Sequence, residues 1–381
     1  MKATPIFRAR GLILAAALGV SIGFTSLAFA QQLNTGAVIV NPDGKVTYLD
    51  TLGGADSEVQ GINASGQVVG TGTTADYTAH AFITGPNGVG ITDLGTHGNS
   101  SFAYGINDAG QVAGSATTAD GFSHAFITGP NGVGMTGLST LGGMYSNADD
   151  INASGQVAGF SQTADGSNHA FITGPNGMGM TDLGTLGGTF SYAYAINDAG
   201  QVAGESQTAD GSRHAFITGP NGVGMSDLGT LGGTFSEARG INDAGQVAGT
   251  STTADGSGHA FITGPNGVGM TDVGTLGGSF SFARGINDSG QVVGYSVTAD
   301  GSHHAFITGP DGTGMIDVNS YADLPDGVIL TEAVGINNLG QVIAVTVIPE
   351  PASYALMLAG LGLVGFMARR KKPTDNTVAG W

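Results

Sequence analysis

One stretch of sequence, written six times, limits this chain more than any other feature. The histidine of His-Ala-Phe-Ile stands at positions 80, 124, 169, 214, 259 and 304, one step of 44 residues followed by four of 45. A second marker, Ile-Asn followed by a turn and Gly-Gln-Val, places its asparagine at 63, 107, 152, 197, 242, 287 and 337. Self-similarity at this period belongs to units that cannot bury their own faces and must pack on copies of themselves.

Each unit reads as four short strands. In the fourth full copy they are YAYAIN (192–197), QVAGESQT (201–208), HAFITG (214–219) and GMSDLGT (224–230). Between them lie DAG, ADGS and PNGV, where Asp-Gly and Asn-Gly supply the positive φ of tight turns. LGGTFS is expected to be a crossing between units. The strands are small or apolar on both faces, as in a sheet covered on each side. Four strands in about 45 residues are the dimensions of a β-propeller blade.

The incomplete copies at the two ends decide between a ring and an open stack. Residues 36–54 match only the third and fourth strands, and residues 333–345 only the first and second. Paired, the two halves make a seventh blade. The expected fold is therefore all-β, a seven-bladed β-propeller over residues 31–348 closed by its N- and C-terminal half-blades. An open solenoid would need caps instead.

The flanks read differently. Lys2, Arg8 and Arg10 precede an apolar run and the small-x-small site Ala28-Phe29-Ala30, so residues 1–30 are expected to be a signal peptide. Residues 349–372 begin with Pro349-Glu350-Pro351. An uncharged apolar run over 352–368 follows, and Arg369, Arg370, Lys371 and Lys372 close the segment. The run is at the short limit for a transmembrane helix, and the basic cluster is expected to stay cytoplasmic. Residues 373–381 form a polar tail.

Charge and cysteine content exclude several classes. The chain has no cysteine, hence no disulfides, thiolate metal sites or cysteine nucleophile. Residues 31–348 carry four bases, Lys45, Arg213, Arg239 and Arg284, against 27 acids. Such a body repels nucleic acid and anionic lipid.

Two resemblances follow from these residues. The repeated His-Ala-Phe, with Asp-Leu-Gly-Thr-Leu-Gly-Gly and Gly-Ile-Asn-Asp, resembles the HAF family of extracellular repeats. That implies a surface or extracellular role and brings no catalytic residues. The Pro-Glu-Pro, apolar helix and basic cluster resemble the PEP-CTERM sorting signal. That implies recognition by an exosortase, a membrane transpeptidase-like protease, in a Gram-negative bacterium, with a link to exopolysaccharide or biofilm matrix. The chain departs from the family pattern in continuing to Trp381.

No nucleophile elbow, metalloprotease helix or phosphate loop occurs, so neither an enzyme nor a cofactor is expected. Equivalent histidines of successive blades radiate apart, so each is expected to bond a backbone carbonyl or pack rather than ligate a metal. His97 and His303 stand outside the register without an evident partner. Asp120, Asp165, Asp210, Asp255 and Asp300 read as Asx turns, with calcium binding the lesser alternative. Four scattered bases offer no three-arginine clamp, and no pair of carboxylates is marked for glycan cleavage.

The informative positions are those where the copies disagree. In Ser-x-Ala-x-Gly-Ile-Asn the first x is Glu58, Phe102, Asn147, Tyr192, Glu237, Phe282 and Glu332; the second is Gln60, Tyr104, Asp149, Tyr194, Arg239, Arg284 and Val334. Both are expected on the innermost strand, facing one mouth of the central channel. Tyr104, Asp149, Tyr194, Arg239 and Arg284 are then the expected binding funnel for exopolysaccharide or a protein partner at the outer surface. A glycan-active enzyme and a calcium-stiffened spacer are the competing readings.

Overall fold

A computed structural model describes residues 35–347. The expected signal peptide, with Ala28 and Ala30, and the sorting segment, with Pro349, Glu350, Pro351, Arg369, Arg370, Lys371 and Lys372, lie outside the described residues. Among the described residues no helix is long and apolar enough to cross a membrane.

Six antiparallel four-stranded meanders follow one another along the chain. In the fourth, the strands are Gly187–Ile196, Val202–Thr208, Arg213–Thr218 and Met225–Asp227. The seventh sheet is composite: Val46–Tyr48 pairs Thr35–Val40, which pairs Val342–Val347, which pairs Ile329–Ile336. Single parallel contacts, Arg213 to Phe235 and Gly258 to Phe280, join the third strands of the fourth and fifth sheets to the innermost strands of the fifth and sixth.

The innermost strand starts earlier than expected. Gly187 opens it, so most of the segment read as a crossing is strand. Its first residues reach the end of the second strand, where Leu186 bridges Thr208 in parallel.

The repeated polar residues hold neighbouring sheets together. Asn63 Nδ2 donates to Asn107 O, and the same bond runs on through Asn152, Asn197, Asn242, Asn287 and Asn337. Asn337 Nδ2 donates back to Asn63 O at 2.9 Å, so the series closes on itself. Each asparagine also binds the glutamine four residues on, as Asn197 does with Gln201. In five copies the serine that opens the variable segment accepts the amide of the previous sheet's third strand, as Ser191 does from Ala170 at 2.8 Å; Ser57 Oγ has no such partner. Sheets closed around an axis in this way form a β-propeller.

Apolar packing follows the same plan. Among the described residues each hydrophobic cluster lies between two successive sheets rather than at a common centre. The phenylalanine of His-Ala-Phe fills that interface: Phe216 packs on Ala158, Ala170 and Ile172 of the preceding sheet and on Ala193, Ile196 and Val202 of its own. In the composite sheet Val38 takes the phenylalanine's place, and Val318 and Leu330 of the inserted segment 318–330 pack beside it, each fully buried.

Candidate binding channel

The second variable position owes its direction to a β-bulge. Ala148 faces Gly159 and Asp150 faces Ala158, so Asp149 is an extra residue with no partner across the ladder. The same shift occurs on every innermost strand, at Gln60, Tyr104, Tyr194, Arg239, Arg284 and Val334. A bulge breaks the alternation of faces and re-aims one side chain. It also explains the glycine of Gln-Val-x-Gly: a Cβ on Gly204 would lie 1.9 Å from the carbonyl oxygen of Tyr192.

All seven bulged residues line one cavity of about 260 Å³, so Tyr104, Asp149, Tyr194, Arg239 and Arg284 are brought together. The first variable position is not in that lining. Its residues stand one step outward and brace the lining instead, as where Asn147 Nδ2 donates to Asp149 Oδ1 at 2.9 Å. The expectation that both positions face the mouth is corrected to one.

Asp150, which the sequence reading passed over, also lines the cavity. Its signal was visible: five copies read Gly-Ile-Asn, and the others have Asp150 and Ala195 in the glycine's place. Its carboxylate accepts the amides of Ile151 at 2.8 Å and Ile196 at 3.0 Å. Asp150 also borders a second cavity of about 210 Å³ at the Ile-Asn ring, with Asp108, Asp198, Asp243 and Asp288.

The arginines are gathered rather than scattered, but each is matched by a glutamate. Arg239 binds Glu237 at 2.7 Å and lies over the Tyr194 ring at 4.2 Å. Arg284 binds Glu332 and lies 4.8 Å above Phe282. Arg213 sits between Phe190 and Phe235 and binds Glu205 at 2.5 Å; Tyr194 Oη donates to the same carboxylate at 3.0 Å. Burial, with Glu205 beside it, pushes the Tyr194 hydroxyl well above its ordinary range.

Two buried polar atoms of the lining have no protein partner, Asp149 Oδ2 and Arg239 Nε. Burial pushes the Asp149 carboxyl up to about 7, against the opposing pull of Asn147 and Arg239. Burial likewise lifts Asp150 to about 6, against its bonds to the Ile196 and Ile151 amides. Because the folded state keeps protons on these two carboxyls that the unfolded chain has released, their contribution to stability is expected to fall as pH rises from about 4 to about 7 and to be level above. At roughly 1.4 kcal/mol per unit, Asp149 contributes a loss of a few kcal/mol. Asp149→Asn is expected to remove the part of this slope between pH 6 and 7, leaving the part below that belongs to Asp150. Urea titrations of both proteins across this range check it, and an unchanged slope would refute the burial effect.

On the outer strands the histidines bond carboxylates rather than the expected carbonyls. His80, His169, His214 and His259 each meet an aspartate, at 93, 182, 227 and 272, at 2.8 Å, and His304 meets Asp317 at 2.6 Å. The spacing of 13 residues was legible, and so was its exception, because Gly137 replaces the aspartate that would face His124. His97 bonds Met135 O at 3.2 Å, and His303 stacks on Tyr295. The hairpin aspartates accept their own turn amides, as Asp210 does from Ser212 at 3.1 Å, which is Asx-turn geometry. Among the described residues no group of three or more His, Asp or Glu side chains is placed to hold a metal ion.

Comparison with known proteins adds an address and a fold. Residues 347–371 match the PEP-CTERM protein-sorting motif. Such a signal marks a chain for export and membrane anchoring before processing, and exosortase, a membrane protease, is what recognises it. No curated protein matches the chain. Among solved structures, a prolyl endopeptidase aligns with a TM-score of 0.51 at 10% identity, over 71% of this chain and 44% of that one. A putative TolB from Agrobacterium tumefaciens aligns at 0.49 and 11% identity, over 83% of this chain and 99% of that one. An oligogalacturonate lyase in complex with manganese aligns at 0.44 and 11% identity, over 76% and 89%. The endopeptidase likeness is one of fold alone.

Proposed function

We propose that this chain is an exported seven-bladed β-propeller that binds an extracellular glycan in its central channel and does not turn it over. One observation carries the reading. The framework residues repeat from blade to blade, while the bulged position that faces the channel changes chemistry at nearly every copy. Tyrosines, carboxylates and arginines on one wall suit the faces and hydroxyls of sugars. The sorting motif and the likeness of the repeats to the HAF family support delivery to the cell surface or biofilm matrix of a Gram-negative bacterium, after contact with an exosortase. The glycan is then exopolysaccharide.

The enzymatic alternative draws on Asp149 and Asp150, two carboxylates in one cavity. Glycoside cleavage uses a pair of acids that both reach the substrate. Here both Asp150 oxygens are held by backbone amides and one Asp149 oxygen by Asn147, which favours binding. A calcium-stiffened spacer is disfavoured because the hairpin aspartates are engaged with their own turns.

The test is binding of the host's own exopolysaccharide to the full chain and to a Tyr104→Ala/Arg284→Ala variant. The variant is expected to lose at least tenfold in affinity, and no new reducing ends are expected. Equal binding would remove the channel from the reading; new reducing ends would make the chain an enzyme.

A further inference from the structure

We propose that the glycan lies lengthwise along an aromatic track that leads out of the channel over the fourth, fifth and sixth blades. The site then grips several sugar rings in a row and not only a chain end. The proposal rests on the reading that the channel binds glycan.

Stacking contacts define the track. Tyr192 stacks on Tyr194 of the channel lining at 6.4 Å, and Tyr194 carries the Arg239 guanidinium 4.2 Å above its ring. Arg239 also lies 5.6 Å from Phe282, which stacks on Tyr295 at 5.5 Å, and Tyr295 stacks in turn on His303. A second branch leaves Tyr192 through Phe190 at 5.6 Å. There Arg213 stands between Phe190 and Phe235, rings of two neighbouring blades, at 5.8 and 5.4 Å. The contacts are continuous from the channel lining to Arg213 and His303, which open the third strands of their blades.

Strand order gives the direction. Along the innermost strand of the fourth blade Phe190 comes first, then Tyr192 and Tyr194, and last Ile196, which borders the second cavity. The track therefore lies at the mouth opposite the Ile-Asn ring. Tyr194 and Phe190 are about 13 Å apart at roughly 3.3 Å per strand residue, so a ligand that touches both is longer than one sugar. The sequence confines the track to one side of that mouth. The residue before the serine of the variable segment is Tyr145, Phe190, Phe235 and Phe280 in the third to sixth blades, but Asp56, Ser100 and Leu330 elsewhere. A ring needed for the framework would recur in every blade. Gly258 makes way for the last of them, since a Cβ there would lie 2.5 Å from the Phe280 ring.

Exposure and charge point to a sugar chain. Phe190, Tyr192, Phe235, Phe280 and Tyr295 are only half-buried, and Arg213 and His303 beside them are exposed. Contiguous half-buried rings mark an interaction surface. Rings interleaved with hydrated hydrogen-bonding groups match sugars, which are apolar on their faces and polar at their edges. Arg213, Arg239 and Arg284 each meet a glutamate, so their charges cancel within the track. Stacking rather than net charge then holds the ligand, and salt is expected to change its affinity little.

The experiment is calorimetry of the full chain with disaccharides and octasaccharides cut from the host's own exopolysaccharide, at low and high salt. The octasaccharide is expected to bind more tightly than the disaccharide, by about tenfold or more, at either salt. Phe235→Leu keeps an apolar side chain but removes the flat ring, and its melting curve shows that it folds. It is expected to lose about tenfold for the octasaccharide and nothing for the disaccharide. Equal affinity for the two lengths would overturn the proposal. If Phe235→Leu leaves the octasaccharide unaffected while Tyr104→Ala/Arg284→Ala weakens it, the track fails and the channel reading stands. If only Phe235→Leu weakens it, the ligand lies on the rim alone, and the proposal fails together with the channel reading. No binding at either length overturns both and leaves the track to a protein partner.

Discussion

Removal of Thr35–Val40 is expected to abolish cooperative unfolding of the propeller. In the composite sheet this strand stands between Val46–Tyr48 and the C-terminal half, to which it is joined over six residue pairs. It also serves two hydrophobic interfaces at once. Val38 and Val40 pack toward the sixth sheet, and Ala37 and Ile39 toward the first. Three of its side chains are 0–1% exposed. At about 1.5–3 kcal/mol for each such side chain, with the ladder bonds added, the loss is comparable to the roughly 5–15 kcal/mol that holds a domain together. Circular dichroism during heating should show a broad, low transition in place of a sharp one. Moving the strand behind Val347 should restore the sharp transition, because closure needs the pairing and not the chain order. An open stack would tolerate the loss of a terminal strand, since each unit there contacts only its neighbours. Full stability after the deletion would therefore disprove the closed ring.

Phe216→Ala is the second large effect, at about 3–5 kcal/mol of destabilisation. The ring is fully buried among small residues of two sheets, Ala158, Ala170, Ala193 and Val202, which cannot move in to fill the space. The opposite substitution at the seam, Val38→Phe, is expected to destabilise as well, by about 1–3 kcal/mol through overpacking. There Val318 and Leu330 already occupy the room. Urea midpoints at constant slope measure both. If Val38→Phe were stabilising, the inserted segment would not be the replacement for the missing ring.

Much of this architecture was legible because it is local or repeated. Asp-Gly and Asn-Gly mark turns whatever lies around them, and Asn221, for example, takes the positive φ of 54° that its turn requires. The half-copies at 36–54 and 333–345 pair as their content demanded. The histidines show the limit of reading one unit at a time. A carbonyl partner was a fair expectation for a single strand, and the aspartate 13 residues away emerges only when copies with and without it are compared.

The amino-acid sequence by itself determined the period, the strands, the turns, the net charge and the positions that vary. Each of these depends on a residue and its near neighbours. Tertiary structure alone decided which variable side chain enters the channel, because the bulge that turns Asp149 inward exists only in the pairing of two strands. It alone decided that the arginines are neutralised, since Arg284 meets Glu332 across 48 residues of chain. And it alone set apart Asp149 Oδ2, a carboxylate oxygen that is costly to bury without a partner, on a wall built from all seven sheets.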